Sequence, residues 1–575
     1  MSLNGLWDFT VDMDPKYHAR NGGFYNPQAS RRYWLKVQVP NVWQKYAERY
    51  DIYEGVCWFA KEFHVDNLPS GYKAKLRFGG VNYFCNIYIN GVHAGCHEGG
   101  YTEFTIDVTG KLKEGENHIS VQVDNRASIT KWPAVIGYFN YGGIHRNVSL
   151  ELTDGPVLEQ VKLDSPRRGQ DWQLSVSGHI DCACRGLTVL VSGRRNIHAK
   201  CTVDKDGGFS CEMPFPDVIP WSPEIPHLEK ISVKLLNEKG TLLDCQDFDY
   251  GFRSIAVRNA KVELNGNPYQ FNGICYVYDS PTSGLLMEQE QIETDLGLMK
   301  EMGCNAVRCH YPMSQEFYES CDRLGLLIWI EPPVYCYHPG DQETGTRFAD
   351  AEWLALAQKM AIEMIAVAKN HPSVAIYSIG NECNTQNPEA AGFFRTLATT
   401  IRKEDSTRLI SYAALYGNIG ALPDIVDILG INSYYGWYDQ IRQDGSDICT
   451  TVEGSVARPI NLEPMHKMLD KVLAEKTDMA LFLTEFGADA VPGYHSRSRE
   501  LWSEDYHAAL LGEILALAKK YPEIAGTFPF CFSDYRDPSK IINGYWNGLN
   551  LKGAVDYQRN RKLAFHAMSR IYNRN

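Results

Sequence analysis

Two glutamates close short apolar runs in the second half of the chain. Glu382 ends Tyr377-Ser378-Ile379-Gly380-Asn381-Glu382, and Glu485 lies in Leu483-Thr484-Glu485-Phe486-Gly487. Two carboxylates across one site can hydrolyse a glycoside by double displacement. One attacks the anomeric carbon; the other, its pKa raised, protonates the leaving oxygen and then deprotonates water. Either glutamate alone reads equally well as a solvated or ion-paired residue. A third feature is Asn550-Leu551-Lys552, an amide and an ammonium at i and i+2. Both could reach one substrate carboxylate, through charge-assisted bonds of roughly 1.5–3 kcal/mol each. Alone, that tripeptide is ordinary loop sequence.

These residues matter only if the fold brings them together. From about residue 257 eight apolar runs alternate with helical stretches: Gln270–Ile274, Ala306–Cys309, Leu326–Ile330, Val374–Ile379, Leu409–Ala413, Ile425–Asn432, Ala480–Thr484 and Gly526–Phe532. Eightfold strand–helix alternation over some 300 residues predicts a (β/α)8 TIM barrel, whose chemistry sits where strands end and the next loops begin. Glu382 then follows the fourth strand and Glu485 the seventh. Residues 1–153 instead show short alternating runs, such as Ala74–Phe78 and Cys85–Ile89, separated by Asn90-Gly91 and Gly99-Gly100. This predicts an antiparallel β-sandwich. Residues 154–256 have the size and turn spacing of an immunoglobulin-like sandwich. The expected fold is therefore a multidomain β and α/β chain: sandwich (1–153), sandwich (154–256) and catalytic barrel (257–575).

Composition bounds the function. The 575 residues are 44% hydrophobic and 22% charged, with a formal net charge of −13. An acidic chain without a Lys/Arg block lacks the basic footprint of a nucleic-acid or anionic-membrane binder, so neither partner is expected. No apolar run reaches 18 residues, and the first residues lack a basic, then apolar, leader pattern. The expectation is a cytoplasmic protein whose 16 cysteines are reduced thiols.

The motifs resemble those of glycoside hydrolase family 2. The resemblance rests on Asn381-Glu382, Thr484-Glu485-Phe486-Gly487, Asn305-Ala306-Val307-Arg308-Cys309-His310-Tyr311-Pro312 and Asn140-Tyr141-Gly142-Gly143-Ile144-His145-Arg146, with the domain order of jelly-roll sandwich, immunoglobulin-like sandwich and barrel. It implies Glu382 as acid/base, Glu485 as nucleophile and Asn381 as the holder of the sugar 2-hydroxyl. Within the family, Asn432-Ser433-Tyr434-Tyr435-Gly436-Trp437-Tyr438 and Leu501-Trp502-Ser503-Glu504-Asp505-Tyr506 look like β-glucuronidase segments. That similarity implies that Tyr434 buttresses the nucleophile, that Tyr438 and Asn432 line the sugar pocket, and that Asn550 and Lys552 read a uronic-acid carboxylate. No cofactor or metal is implied. The substrate would be a uronic-acid glycoside or oligosaccharide, and the family's habit implies a homodimer or homotetramer.

Four positions depart from the glucuronidase pattern. Gly137 stands for an Asp that reaches the sugar, Phe530 for a Trp, Trp546 for an Arg, and Val277 for a His, while Asp279 of the same turn is kept. Losing an acceptor, an indole donor and a guanidinium beside the 4-hydroxyl, while keeping the carboxylate reader, leads to the expectation of a retaining exo-β-hexuronidase that cleaves terminal galacturonides and glucuronides and prefers the former. The alternatives are a plain β-glucuronidase, a family 2 β-galactosidase and a non-catalytic carbohydrate-binding protein. The stretch Tyr335–Gly345 is short, so an open mouth suited to bulky or oligosaccharide leaving groups is expected. His93, Cys96 and His97 lack a fourth ligand, and Cys182-Ala183-Cys184 lacks a second pair, so neither is read as a metal site. Trp7, Trp221 and Trp502 are read as packing residues.

Overall fold

The computed structural model describes residues 1–573 except 15–22, 135–136, 170, 182–185, 195–196, 442–458, 476–477, 538 and 540–547. Trp546, Cys182 and Cys184 lie outside the described residues.

Alternation of buried and partly exposed residues builds the first sandwich: Lys73–Phe78 and Phe84–Ile89 each turn every second side chain inward, as a half-buried strand must. A six-stranded antiparallel sheet, ordered Leu35–Val39, Gly5–Val11, Val56–Val65, Gly115–Asp124, Phe84–Ile89 and Val92–Glu98, faces the three strands Val148–Thr153, Lys73–Phe78 and Phe104–Asp107. Leu76, Phe78, Ile87, Ile89 and Val121 are fully buried in its core. A second sandwich places Leu158–Asp164, Asp171–Ile180 and Gly208–Pro214 against Thr188–Ser192 and Glu229–Leu236. Leu163, Leu174, Val189 and Val233 close its separate core.

The remainder is a closed parallel barrel of eight strands: β1 (Phe271–Tyr276), β2 (Ala306–Cys309), β3 (Leu327–Ile330), β4 (Val374–Asn381), β5 (Leu409–Leu415), β6 (Ile428–Asn432), β7 (Ala480–Glu485) and β8 (Ile524–Thr527). Every residue of β2, β3, β4, β6 and β7 is buried, which is why they read as continuous apolar runs. Around them lie α1 (Gln289–Glu301), α2 (Gln315–Leu324), α3 (Ala351–Ala368), α4 (Ala390–Glu404), α5 (Glu463–Glu475), α6 (Glu504–Ala518) and α7 (Leu563–Tyr572). Side-chain caps set three starts: Ser314 accepts from Phe317, Asp350 from Glu352 and Trp353, and Ser503 from Tyr506. The expected alternation fails once. No helix separates β5 from β6, because Gly417, Gly420 and Pro423 break the connecting stretch. The last strand is also shorter than expected, four residues from Ile524 to Thr527.

The first sandwich is anchored beside the barrel mouth. Arg146, buried, donates to the Tyr101 and Pro312 carbonyls at 2.7 Å and to the Met313 carbonyl at 3.3 Å. Trp132 stacks on Trp353 at 3.7 Å. Trp221 ties the second sandwich to α2 through a 2.9 Å bond to the Asp322 carbonyl. Trp7, Trp221 and Trp502 are all buried, as packing residues should be. The Arg146→Ala variant leaves several buried carbonyls without donors, at about 2–4 kcal/mol. Its thermal unfolding midpoint should fall by several degrees; an unchanged midpoint by calorimetry contradicts a clamp role.

Candidate active site

Strand irregularities aim the two glutamates. The β4–β5 register shifts between Ser378 and Asn381, and the β6–β7 register shifts between Ile431 and Asn432, which then pairs with Glu485. Such bulges redirect side chains at barrel rims. Glu382 itself has φ of 50°, a left-handed conformation uncommon for a side-chain-bearing residue and often found where function imposes it. Its N–H is held by the Ala413 carbonyl at 2.9 Å.

A continuous hydrogen-bonded chain joins the pair. Arg308 donates to Glu485 Oε1 and to Asn381 Oδ1, both at 2.8 Å. Asn432 Nδ2 reaches Asn381 Oδ1 and Glu382 Oε1, also at 2.8 Å, while its own Oδ1 accepts from the Thr484 hydroxyl at 2.7 Å. The Tyr434 hydroxyl donates to Glu485 Oε2 at 2.8 Å. Asn381 accepts both bonds on its Oδ1. Burial and the nearby Glu485 charge push the Glu382 carboxyl up to about 8, against the opposing Asn432 bond. Glu382 therefore carries a proton at neutral pH. Glu485 instead has a guanidinium on one oxygen and a phenol on the other. The two carboxyls thus sit in environments that push their protonation apart, the condition under which a carboxyl pair can divide acid and base work.

Arg308, Glu331 and His310, which extend this network, were not among the sequence candidates as site residues. Arg308 is wholly buried, and its charge is matched by Glu485 and by Glu331 at 3.5 Å. His310 Nδ1 lies 2.8 Å from Glu331 Oε1. Burial would raise the Glu331 carboxyl, but Arg308 and His310 hold it below its ordinary value. A signal existed: Glu331 directly follows β3 just as Glu382 follows β4, and Arg308 and His310 alternate at the end of β2.

The other predicted residues fall in two places. Tyr434 and Tyr438 pack 5.2 Å apart, and the Lys552 ammonium lies 5.7 Å and 5.1 Å from their rings. Lys552 is therefore brought to the Glu485 side of the site. Its charge is already met within the protein, for its Nζ is 2.5 Å from Asp489 Oδ2 and both residues are buried. Burial alone would lower its pKa; Asp489 holds it above the ordinary lysine value. Asn550 Nδ2 turns to Asp537 at 3.3 Å and its Oδ1 accepts from the Lys552 N–H at 3.3 Å. Asp279 sits elsewhere, as a buried strut between domains: it accepts from the Tyr141 hydroxyl at 2.8 Å, the Tyr557 hydroxyl at 3.2 Å and the Arg536 N–H at 2.8 Å. Phe530 packs against His310 at 5.9 Å and Tyr434 at 6.4 Å. Gly137 is exposed, with open space where a side chain would begin. Val277 is buried. His97 turns inward to Glu363 at 3.0 Å, and His93 lies 3.3 Å from Asn86 Oδ1. A cleft of about 1230 Å³ lies remote from this chemistry, between the sandwiches and the α2–α3 side of the barrel. Several of its cations, Lys73, Lys75 and Arg77, are already paired with acids.

The family profile for the glycosyl hydrolases family 2 TIM barrel domain matches residues 255–573, and that for the sugar binding domain of the same family matches residues 1–154. The chain belongs to glycosyl hydrolase family 2. It is an enzyme of that family rather than a binding protein on a silent barrel. This family 2 hydrolase is 27% identical to a β-glucuronidase of Paenibacillus borealis, over 98% of this chain and 95% of that protein. Its fold is similar to a β-galacturonidase from Eisenbergiella tayi bound to galacturonate (TM-score 0.84, 24% identity, 100% of this chain and 97% of that one). It is also similar to a β-glucuronidase from Ruminococcus gnavus in complex with D-glucuronic acid (TM-score 0.86, 22% identity, 100% and 97%). Among the described residues, no helix is long and apolar enough to cross a membrane.

The titration of Glu382 has a direct consequence. The proton needed for leaving-group departure is present below about pH 8 and lost above it, so kcat/KM should decline on the alkaline side through that value. Glu382→Gln cannot titrate there; it should lose about 10²–10⁴ in rate on poor leaving groups and lose the alkaline limb. A limb that persists in the variant places the titrating acid elsewhere.

Proposed function

We propose that the chain is a retaining exo-β-hexuronidase that removes terminal β-galacturonosyl or β-glucuronosyl residues, with galacturonides preferred. The observation that carries this reading is the placement of Lys552 against Tyr434 and Tyr438, one ring from Glu485. A sugar with C1 over Glu485 would have its C5 substituent within reach of that ammonium. Glu485 attacks C1 while Glu382 gives its proton to the glycosidic oxygen, leaving a glycosyl ester on Glu485. Glu382, now ionised, takes a proton from water, which attacks C1 from the face vacated by the leaving group, so configuration is retained. Asn381 Nδ2 is the donor for the 2-hydroxyl. The relatives described as β-glucuronidases and a β-galacturonidase support the uronic-acid class. The galacturonide preference rests on Phe530 and Gly137, which offer neither an indole donor nor a carboxylate to a 4-hydroxyl.

One observation favours a second reading. Asp489 already neutralises Lys552, so a neutral hexose would not strand a bare charge. A β-galactosidase remains the competitor on that ground. kcat/KM on matched chromogenic β-D-galacturonide, β-D-glucuronide and β-D-galactoside separates the two. The expected order is galacturonide, glucuronide, galactoside, with at least about a tenfold step between first and second, equal to 1.4 kcal/mol of differential transition-state binding. Lys552→Met should lower the uronide rates by roughly tenfold to a hundredfold, the worth of one charge-assisted bond, and spare the galactoside. A galactoside rate that matches the uronides in the wild type overturns the uronic-acid assignment; a glucuronide preference overturns the 4-hydroxyl argument.

A further inference from the structure

The leaving group must depart on the Glu382 side, because that residue protonates it. This statement rests on the hydrolase reading above, with Glu382 as acid. What borders Glu382 outward is therefore what meets the leaving group. The ends of β5 and β6 pair at Leu415 and Asn432, the residue whose amide holds Glu382. Tyr416, one residue past β5, donates its N–H to the Asn432 carbonyl at 2.8 Å, and Asn432 holds Glu382. Tyr435 follows Tyr434 past the end of β6. The two rings meet edge to face, 5.2 Å apart at 65°. Beside them Gln386 Nε2 donates to Asn418 Oδ1 at 2.6 Å; Gln386 is exposed and Asn418 half-buried.

Tyr416 is both exposed and held in a strained backbone conformation. It is 40% exposed, and among the described barrel residues the other large apolar or aromatic side chain with comparable exposure is Ile362, on the outer helix α3. Its φ is +48°, a conformation in which a bulky side chain is a genuine outlier. Backbone strain of this kind gathers at functional positions. The four side chains offer two ring faces and two amides and no charge, which suits a neutral pyranose: apolar ring C–H faces against tyrosine, hydroxyls against amides.

We infer that Tyr416 and Tyr435, with the amides of Gln386 and Asn418, form a subsite that takes a neutral pyranose as the leaving group, so that the preferred substrate is an oligosaccharide ending in the cleaved sugar. The test compares a glycosyl fluoride, an aryl glycoside and a disaccharide, all carrying the same uronic acid, with wild type, Tyr416→Ala and Tyr416→Trp. The fluoride has no leaving-group ring and reports on folding and on the cleaved-sugar site alone. Tyr416→Ala should lower kcat/KM on the disaccharide by about tenfold, mainly through KM, and change the fluoride rate less than twofold, while Tyr416→Trp keeps the disaccharide rate. Equal losses on disaccharide and fluoride, or no loss on the disaccharide, overturn the subsite. A loss confined to the aryl glycoside overturns the sugar assignment in favour of a flat aromatic group. A wild type inactive on the uronyl fluoride overturns the hexuronidase reading itself, and the subsite with it.

Discussion

The buried guanidinium of Arg308 is the interaction on which the site depends. A cation with no solvent exposure is tolerated only when its charge and its donors are met by protein groups. Arg308 meets that demand by holding Glu485 and Asn381 directly and Glu331 nearby. Asn381 passes the order to Asn432, and Asn432 passes it to Glu382. The same arrangement divides the chemistry. Glu485 lies against the cation, whereas Glu382 meets the neutral Asn432 amide, and burial together with the Glu485 charge raises its carboxyl. Two residues of one type acquire different environments from what stands beside each.

The sandwich contributes by holding the mouth in shape. Arg146 fastens to the carbonyls of the loop that follows β2, only a few residues from Arg308 and His310. Tyr141 and Asp279 close another inter-domain contact at the turn after β1. Asp279 is buried and accepts three bonds, so its burial-raised carboxyl belongs to the joint between domains. Strand-end loops are the mobile part of a barrel in general; here several are pinned from outside by the first sandwich.

Much of the architecture was legible because it is periodic. Alternating exposure in runs such as Lys73–Phe78, and unbroken burial in runs such as Val374–Asn381, leave the signatures of half-buried and fully buried strands. The missing helix between β5 and β6 was also readable in principle, from two glycines and a proline within a dozen residues. The candidate site was legible where strand ends could be located: Glu382 and Glu485 follow from that rule, and Glu331 follows from it too. Trp546 stands outside the described residues, so its part in the pocket rests on sequence alone.

The chain by itself determined the class of fold and the positions of the carboxylates at the barrel mouth, since both depend on local periodicity and on where an apolar run stops. Tertiary structure alone decided which glutamate holds the proton and what Lys552 touches. Its partner Asp489 lies 63 residues away in sequence. Titration and ion pairing follow distance and burial, and distances of that kind come into being only when the barrel closes.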